Sequence, residues 1–262
     1  MYYPQLLRLT NGLKWLTIVL TCVAAFFIAI AAANGVYHHP AHGPRSSDDL
    51  PLPMFFAMAG FIASFFASRY ARTLSEENEG HLPVVWTKPV SRAEYAMTVI
   101  AADALGICAA FGIALVIELA FCAALGALPF IQITSDAGVQ LIRFLLLPLA
   151  YYGLMMALTA SFGKAGRGLI GWAWCFSFVI MLIAALHPPK PWDTIATLLN
   201  TINPLAYAGY SHTNAHETVN IGSGPAPTVF TSLALGIDIA ALLVLCVAGM
   251  AAGIVLWRRV EA

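Results

Sequence analysis

Apolar positions gather in six long runs along this chain, separated by shorter polar stretches. The runs are Trp15–Val36, Met54–Ala71, Ala96–Leu125, Leu141–Phe162, Leu169–Leu186 and Thr231–Trp257, the second and fifth being the shortest. About 20 apolar residues in a helix cross the hydrocarbon of a bilayer, so each run predicts a membrane-spanning helix. Between the fifth and sixth, "WDTIATLLNTINP" sets Ile195, Leu198, Leu199 and Ile202 at the i, i+3, i+4, i+7 spacing of a helix face. Asp193 is placed to cap this segment and Asn203-Pro204 to stop it. The segment predicts a short amphipathic helix at, or dipping into, a membrane interface. The stretch after it, "SHTNAHETVNIGSGPAP", is polar and rich in Gly and Pro, hence loop.

Composition sharpens the class. Of 262 residues, 60% are hydrophobic and 10% charged, against about 45–50% and about 25% in soluble domains. That excess cannot be hidden in one water-soluble core. The expectation is an all-α integral membrane protein, with residues 1–262 forming a single transmembrane domain. A formal net charge of zero gives no electrostatic footprint for nucleic acid. Cys22, Cys108, Cys122, Cys175 and Cys246 all fall inside apolar runs and lack CxxC spacing, so they read as packing residues. The N-terminal "MYYPQLLRLTNGLKW" does not read as a signal peptide, because the apolar run after it is too long and no clean small-residue cleavage site follows.

Lysine and arginine then set the orientation. With the N-terminus in the cytoplasm, the inner side holds ten of them: Arg8, Lys14, Arg69, Arg72, Lys88, Arg92, Lys164, Arg167, Arg258 and Arg259. The outer side holds three, Arg45, Arg143 and Lys190. This bias predicts both termini inside. It makes Arg72–Tyr95 a cytoplasmic loop and puts Tyr37–Pro53, Gly126–Gln140 and His187–Phe230 outside.

The cytoplasmic loop is more specific than a connector needs to be. In "SRAE", Ser91 fits the N-cap and Glu94 the third helical position of a capping box, with Val90 and Tyr95 set for a hydrophobic staple. Pro89 blocks helix just before. Upstream, Ser75 with Glu76 and Glu77 fits the start of a separate short helix whose N-terminal dipole favours the carboxylates. Pro83 interrupts or re-starts it. A helix across the membrane face, a sharp break and a capped transmembrane helix are therefore expected.

"ENEGHLPVVWTKPVSRAEY" resembles the loop after the second helix in permease subunits of the ABC-2 type, where an acidic residue and Gly-Thr precede apolar residues and then Pro-(Val/Ile)-Ser-Arg. Glu79, Gly80, Pro89, Val90, Ser91 and Arg92 match that pattern, while His81 stands where threonine is usual and Pro83 lies within the expected helix. Six spans, inward termini and an amphipathic segment before the last span are similar to that family too. The resemblance implies an exporter in which Glu76, Glu77, Glu79, Gly80, Trp86, Lys88, Pro89, Ser91 and Arg92 dock on a separate ATP-binding subunit. Two copies of that ATPase, carrying ATP and Mg, and a second permease protomer, identical or related, are the implied partners, with membrane lipid around them. The competing reading of the loop is a positive-inside anchor, with Trp86 at the headgroups and Lys88 and Arg92 on phosphates. It leaves Glu79-Gly80 and the proline-framed cap without a purpose.

No cofactor is expected on this chain itself. "GKAGRG" lacks the spacing and the following Ser or Thr of a phosphate-cradling loop, and reads as a tight basic turn. Ionisable residues inside spans are costly and mark function by default. Glu118, Arg143 and Asp238 are expected at one level near the outer side, as the lining or gate of a pathway or as a structural pair. Asp103 lies deeper, with no basic residue of a neighbouring span level with it, and stands as the lone functional candidate. Gly249 and Gly253 form a GxxxG motif, read as packing within the bundle. Tyr151, Tyr152, Trp172 and Trp174 are assigned to interface belts or bundle packing, with substrate contact as the alternative for the two tyrosines. The external histidines His38, His39, His42, His187, His212 and His216 come without an HExxH motif and are read as loop polarity, with no metal site. Two other classes are open from the residues alone. One is a membrane enzyme or metal-handling protein using the intramembrane carboxylates or these histidines. The other is a sensor or assembly factor that needs no ATPase.

Overall fold

The computed structural model describes residues 3–33, 50–73, 91–160, 166–186, 189–208 and 231–259. They form seven α-helices: α1 (Tyr3–Ala33), α2 (Leu52–Tyr70), α3 (Arg92–Ala124), α4 (Ala137–Ala160), α5 (Gly166–Ala185), α6 (Trp192–Thr201) and α7 (Thr231–Arg259). Two residues before α2, Leu50 and Pro51, pair in parallel with Ile131 and Gln132. Five helices are long and apolar enough to cross a membrane: α1 over Leu7–Ile30, α2, α3, α4, and α7 over Leu235–Trp257. The apolar stretch of α5, Gly168–Ile183, is shorter. Large side chains such as Phe26, Phe65, Val116, Leu182 and Val244 stand exposed around the outside, at 62–70% of their free area. Water would reject such a surface, whereas lipid accepts it, and helices satisfy their own backbone groups there. The chain is a multi-pass α-helical membrane protein.

Helix ends follow from local chemistry. Ser91 is the N-cap of α3, with extended backbone (φ −66°, ψ 147°), and its hydroxyl accepts the Glu94 N–H at 3.2 Å. At the other end Gly126 adopts φ +69°. Its N–H donates to the Ala123 carbonyl at 3.1 Å, and that of Ala127 to Cys122 at 2.8 Å. This paired closure needs a left-handed residue, which glycine adopts without a steric cost.

The core is built around α4, which packs against α7 on one side and α2 on the other, while α3 packs against α1 and α2. Phe144, Leu147, Tyr151, Tyr152, Met155 and Met156 of α4 are almost wholly buried. Two backbone approaches set the spacing. A Cβ on Gly249 would fall 2.5 Å from the carbonyl carbon of Gly153, and one on Gly60 would fall 2.8 Å from the Phe144 oxygen. Pro148 has no N–H to offer that oxygen, so the carbonyl freed inside α4 faces the bare Cα of Gly60. The GxxxG motif is spent inside the bundle, with Gly249 on Gly153 and Gly253 against the Met156 side chain.

Contacts between helix ends define two poles. At the near end α1 and α3 begin and α2, α4 and α7 finish: the Thr159 hydroxyl donates to the Ala71 carbonyl at 2.8 Å, and the Tyr95 ring lies 6.4 Å from that of Trp257. At the far end α2, α4 and α7 begin.

The amphipathic segment differs from expectation at its start. Asp193 is inside α6, and Pro191 takes the N-cap position, already at φ −88°, ψ −3°. The Pro191 carbonyl accepts the Ile195 N–H at 3.2 Å, so the helix opens earlier than a side-chain cap would place it. The stop at Asn203 is as expected. Its Oδ1 accepts the Leu205 N–H at 3.2 Å and its Nδ2 donates to the Ser177 carbonyl at 3.1 Å. Ser177 lies well within α5, so α6 folds back along α5 rather than resting on its tip. The face carrying Ile195, Leu198 and Leu199 is exposed.

Candidate functional site

The charged side chains that pair inside so apolar a bundle form two clusters. The one towards the near end is centred on Asp103, which is fully buried on α3. One carboxylate oxygen accepts from the Arg8 guanidinium of α1 at 2.5 Å, the other from the Tyr152 hydroxyl of α4 at 3.0 Å. The Arg8 guanidinium lies 5.6 Å from the centroid of the Tyr70 ring on α2, within the range of cation–π attraction. Four helices thus meet on one neutralised charge. Gly106 leaves room for the meeting: a Cβ there would come 3.2 Å from the side chains of both Leu9 and Tyr70.

Asp103 is therefore not the lone carboxylate expected from the sequence. The reason lies in α1, which begins at Tyr3 and carries Arg8 as a helical residue alongside α3, not as an inner-side charge before a span starting at Trp15. Arg8, Tyr70 and Tyr152 are the members that sequence reasoning missed. Arg8 appeared there only as an inner-side charge, and Tyr152 as packing.

The far-end cluster runs along the first turns of α4 and across to α7. The Gln140 amide donates to Asp136 at 3.1 Å and accepts from Arg143 at 3.3 Å; Arg143 also pairs with Asp238 at 3.0 Å. Arg143 and Asp238 thus meet as the sequence proposes. Glu118 does not join them by a hydrogen bond: both its oxygens are buried without a partner among the described residues. Tyr207, in the short 3-10 helix Pro204–Ala208, donates to the Thr201 carbonyl at 2.9 Å. Burial, and after it the charge of Asp238, push the Tyr207 phenol above its ordinary value, which ties the loop beyond α6 electrostatically to this cluster.

The Arg143–Asp238 side chains are 10% and 31% exposed, so the pair should stabilise the junction of α4 and α7 more than an open surface bridge does. Reversing one charge, as Asp238→Arg, is expected to cost about 1 kcal/mol or more. The swap Arg143→Asp with Asp238→Arg should recover most of it. Thermal unfolding of the three purified variants checks this, and a swap no better than the single reversal would refute the pairing.

Of the loop positions, Ser91 caps α3 and Arg92 is its first residue. Glu76, Glu77, Glu79, Gly80, Trp86, Lys88 and Pro89 lie outside the described residues, as do all the histidines. Among the described residues no three His, Cys, Asp or Glu side chains gather as metal ligands. No protein-family model, curated protein or solved structure matches the chain.

Proposed function

We propose that this chain is the membrane-spanning subunit of an ATP-driven exporter of the ABC-2 kind. The observation that carries the reading is the motif Glu79-Gly80…Pro89-Val90-Ser91-Arg92, which runs directly into the capped first turn of α3. A connector that ends in a fixed cap transmits a push into the bundle, where a slack loop would absorb it. In this reading the near end faces the cytoplasm with both termini, and six spans cross the membrane, α5 being the fifth. The segment Glu76–Tyr95 includes a coupling helix, and α6 sits at the outer interface. The membrane is the cytoplasmic membrane of a prokaryote. Two ATPase subunits bind the coupling segments of two protomers and supply the ATP and Mg chemistry. This chain performs no covalent step. Asp103 with Arg8 fixes α1 to the moving helix, and Glu118, Arg143 and Asp238 line the outer part of the pathway or its gate.

The test is a pull-down of the tagged chain from native membranes in mild detergent, with mass spectrometry of its companions. A stoichiometric ATP-binding-cassette ATPase is expected, lost in the double variant Glu79→Lys, Gly80→Trp while the variant still elutes as a single folded species. No ATPase with the unaltered chain, or an undiminished one with the variant, would overturn the proposal.

A further inference from the structure

Glu118 is the one carboxyl group among the described residues with both oxygens buried and both lacking a hydrogen-bond partner. It shares a face of α3 with Ala114 and Cys122, one turn to either side and both buried. It stands about 22 Å along the helix from Asp103. Among the described side chains, the cations on neighbouring helices are engaged or turned away. Arg8 of α1 is held by Asp103, and Arg143 of α4 by Asp238 of α7. Lys14 of α1 and Arg69 of α2 are exposed. Of the other titratable groups, Tyr70 and Tyr152 belong to the Asp103 cluster, the Tyr151 ring lies beside Trp174 of α5, and Cys246 of α7 is a buried free thiol. Only the Cys122 thiol is a close neighbour on α3 itself, and it brings no positive charge.

A carboxylate in such a place would surrender its hydration for nothing, whereas a carboxylic acid carries no charge to solvate. The cleft between α1 and α3, about 200 Å³, is walled by Thr21, Ala25, Ile28, Ile117 and Phe121 and does not include Glu118. Oxygens that a water molecule cannot touch have room for a proton and nothing larger.

We propose that Glu118 is a proton-binding site: its carboxyl group holds a proton in the packed arrangement and releases it to water when the far end of α3 opens. The O–H bond of the acid breaks, the proton passes to a water molecule, and the carboxylate remains; closing reverses the step. The inference rests on reading the far end as part of a pathway. Its test uses the chain alone, so the ATPase pull-down and this measurement fail independently.

Infrared difference spectra of the lipid-reconstituted chain, unaltered minus E118Q, read the site directly. The expected result is a protonated-carboxyl C=O band at neutral pH that shifts in D₂O and gives way to carboxylate bands as the pH rises. E118Q should fold as the unaltered chain does, because the amide is a neutral isostere. Should it fail to fold, glutamate carrying ¹³C in its carboxyl and the variant Glu118→Asp serve instead, the isotope-shifted band being lost. Absence of the band at neutral pH would overturn the proposal. So would a band that neither shifts in D₂O nor titrates while the bundle stays folded.

Discussion

Gly249→Ala is expected to destabilise the bundle by about 1–3 kcal/mol or more, and Gly249→Val to abolish the folded species. The added Cβ would meet only backbone: the Gly153 carbonyl carbon at 2.5 Å, its oxygen at 2.8 Å and the Leu154 nitrogen at 2.8 Å. No rotamer can relieve such contacts, so α4 and α7 must separate. Separation would also pull Gly253 off the Met156 side chain, whose close fit belongs to the same interface. Gly112→Ala on α3 is the control. Nothing lies within 4 Å of its Cβ position, and replacing glycine inside a helix should gain about 0.5–1 kcal/mol. Thermal unfolding in detergent, with size-exclusion elution, separates the two. Equal stability of Gly249→Ala and the unaltered chain would mean that α4 and α7 do not touch there.

The second large effect is expected at Asp103. Removing one partner of a buried ion pair typically costs about 3–5 kcal/mol, because the other charge is left in a poor solvent. Asp103→Asn isolates that term, since the amide oxygen still accepts from the Tyr152 hydroxyl while the charge opposite Arg8 disappears. The double variant Arg8→Met, Asp103→Asn should regain most of the loss, methionine filling the space of the arginine stem without its charge. A double-mutant cycle would then give a coupling well beyond the few tenths of a kcal/mol seen for independent sites. Additive losses would show that Arg8 and Asp103 act separately. The α1 helix should respond most, because its apolar window is the least buried of the five.

What was legible in the sequence was local. The α3 start at Ser91 was readable because a cap, a glutamate three residues on and a preceding proline are neighbours in the chain. The stop at Asn203-Pro204 was readable for the same reason. Asp193 misled because its residue type suits a cap, whereas the Pro191 backbone had already taken that role. Contacts between helices were hidden to the degree that they depend on where helices begin. Arg8 reaches Asp103 across 95 residues, and that contact follows only if α1 starts at Tyr3. Gly249 and Gly253 announced a close approach but could not name Gly153 and Met156 as the other side. Arg143 and Asp238 could be paired by depth because both sit shortly after a helix start. Depth alone could not tell whether Glu118 would hydrogen-bond with them.

The joining of α4 to α7 has a consequence for biogenesis. The face of α4 that bears Gly153 is finished long before its mate exists, since α5, α6 and the stretch before Thr231 must be made in between. At about 5–20 residues per second, ribosomal synthesis leaves that face waiting for a time on the order of ten seconds. During that interval α4 can lean on α2, where Gly60 already faces the Phe144 carbonyl, but the rest of its small-residue surface is open to lipid or to quality-control factors. A nascent chain halted before α7 would therefore present an unfinished seam at its centre, and a membrane protease or chaperone would meet it there.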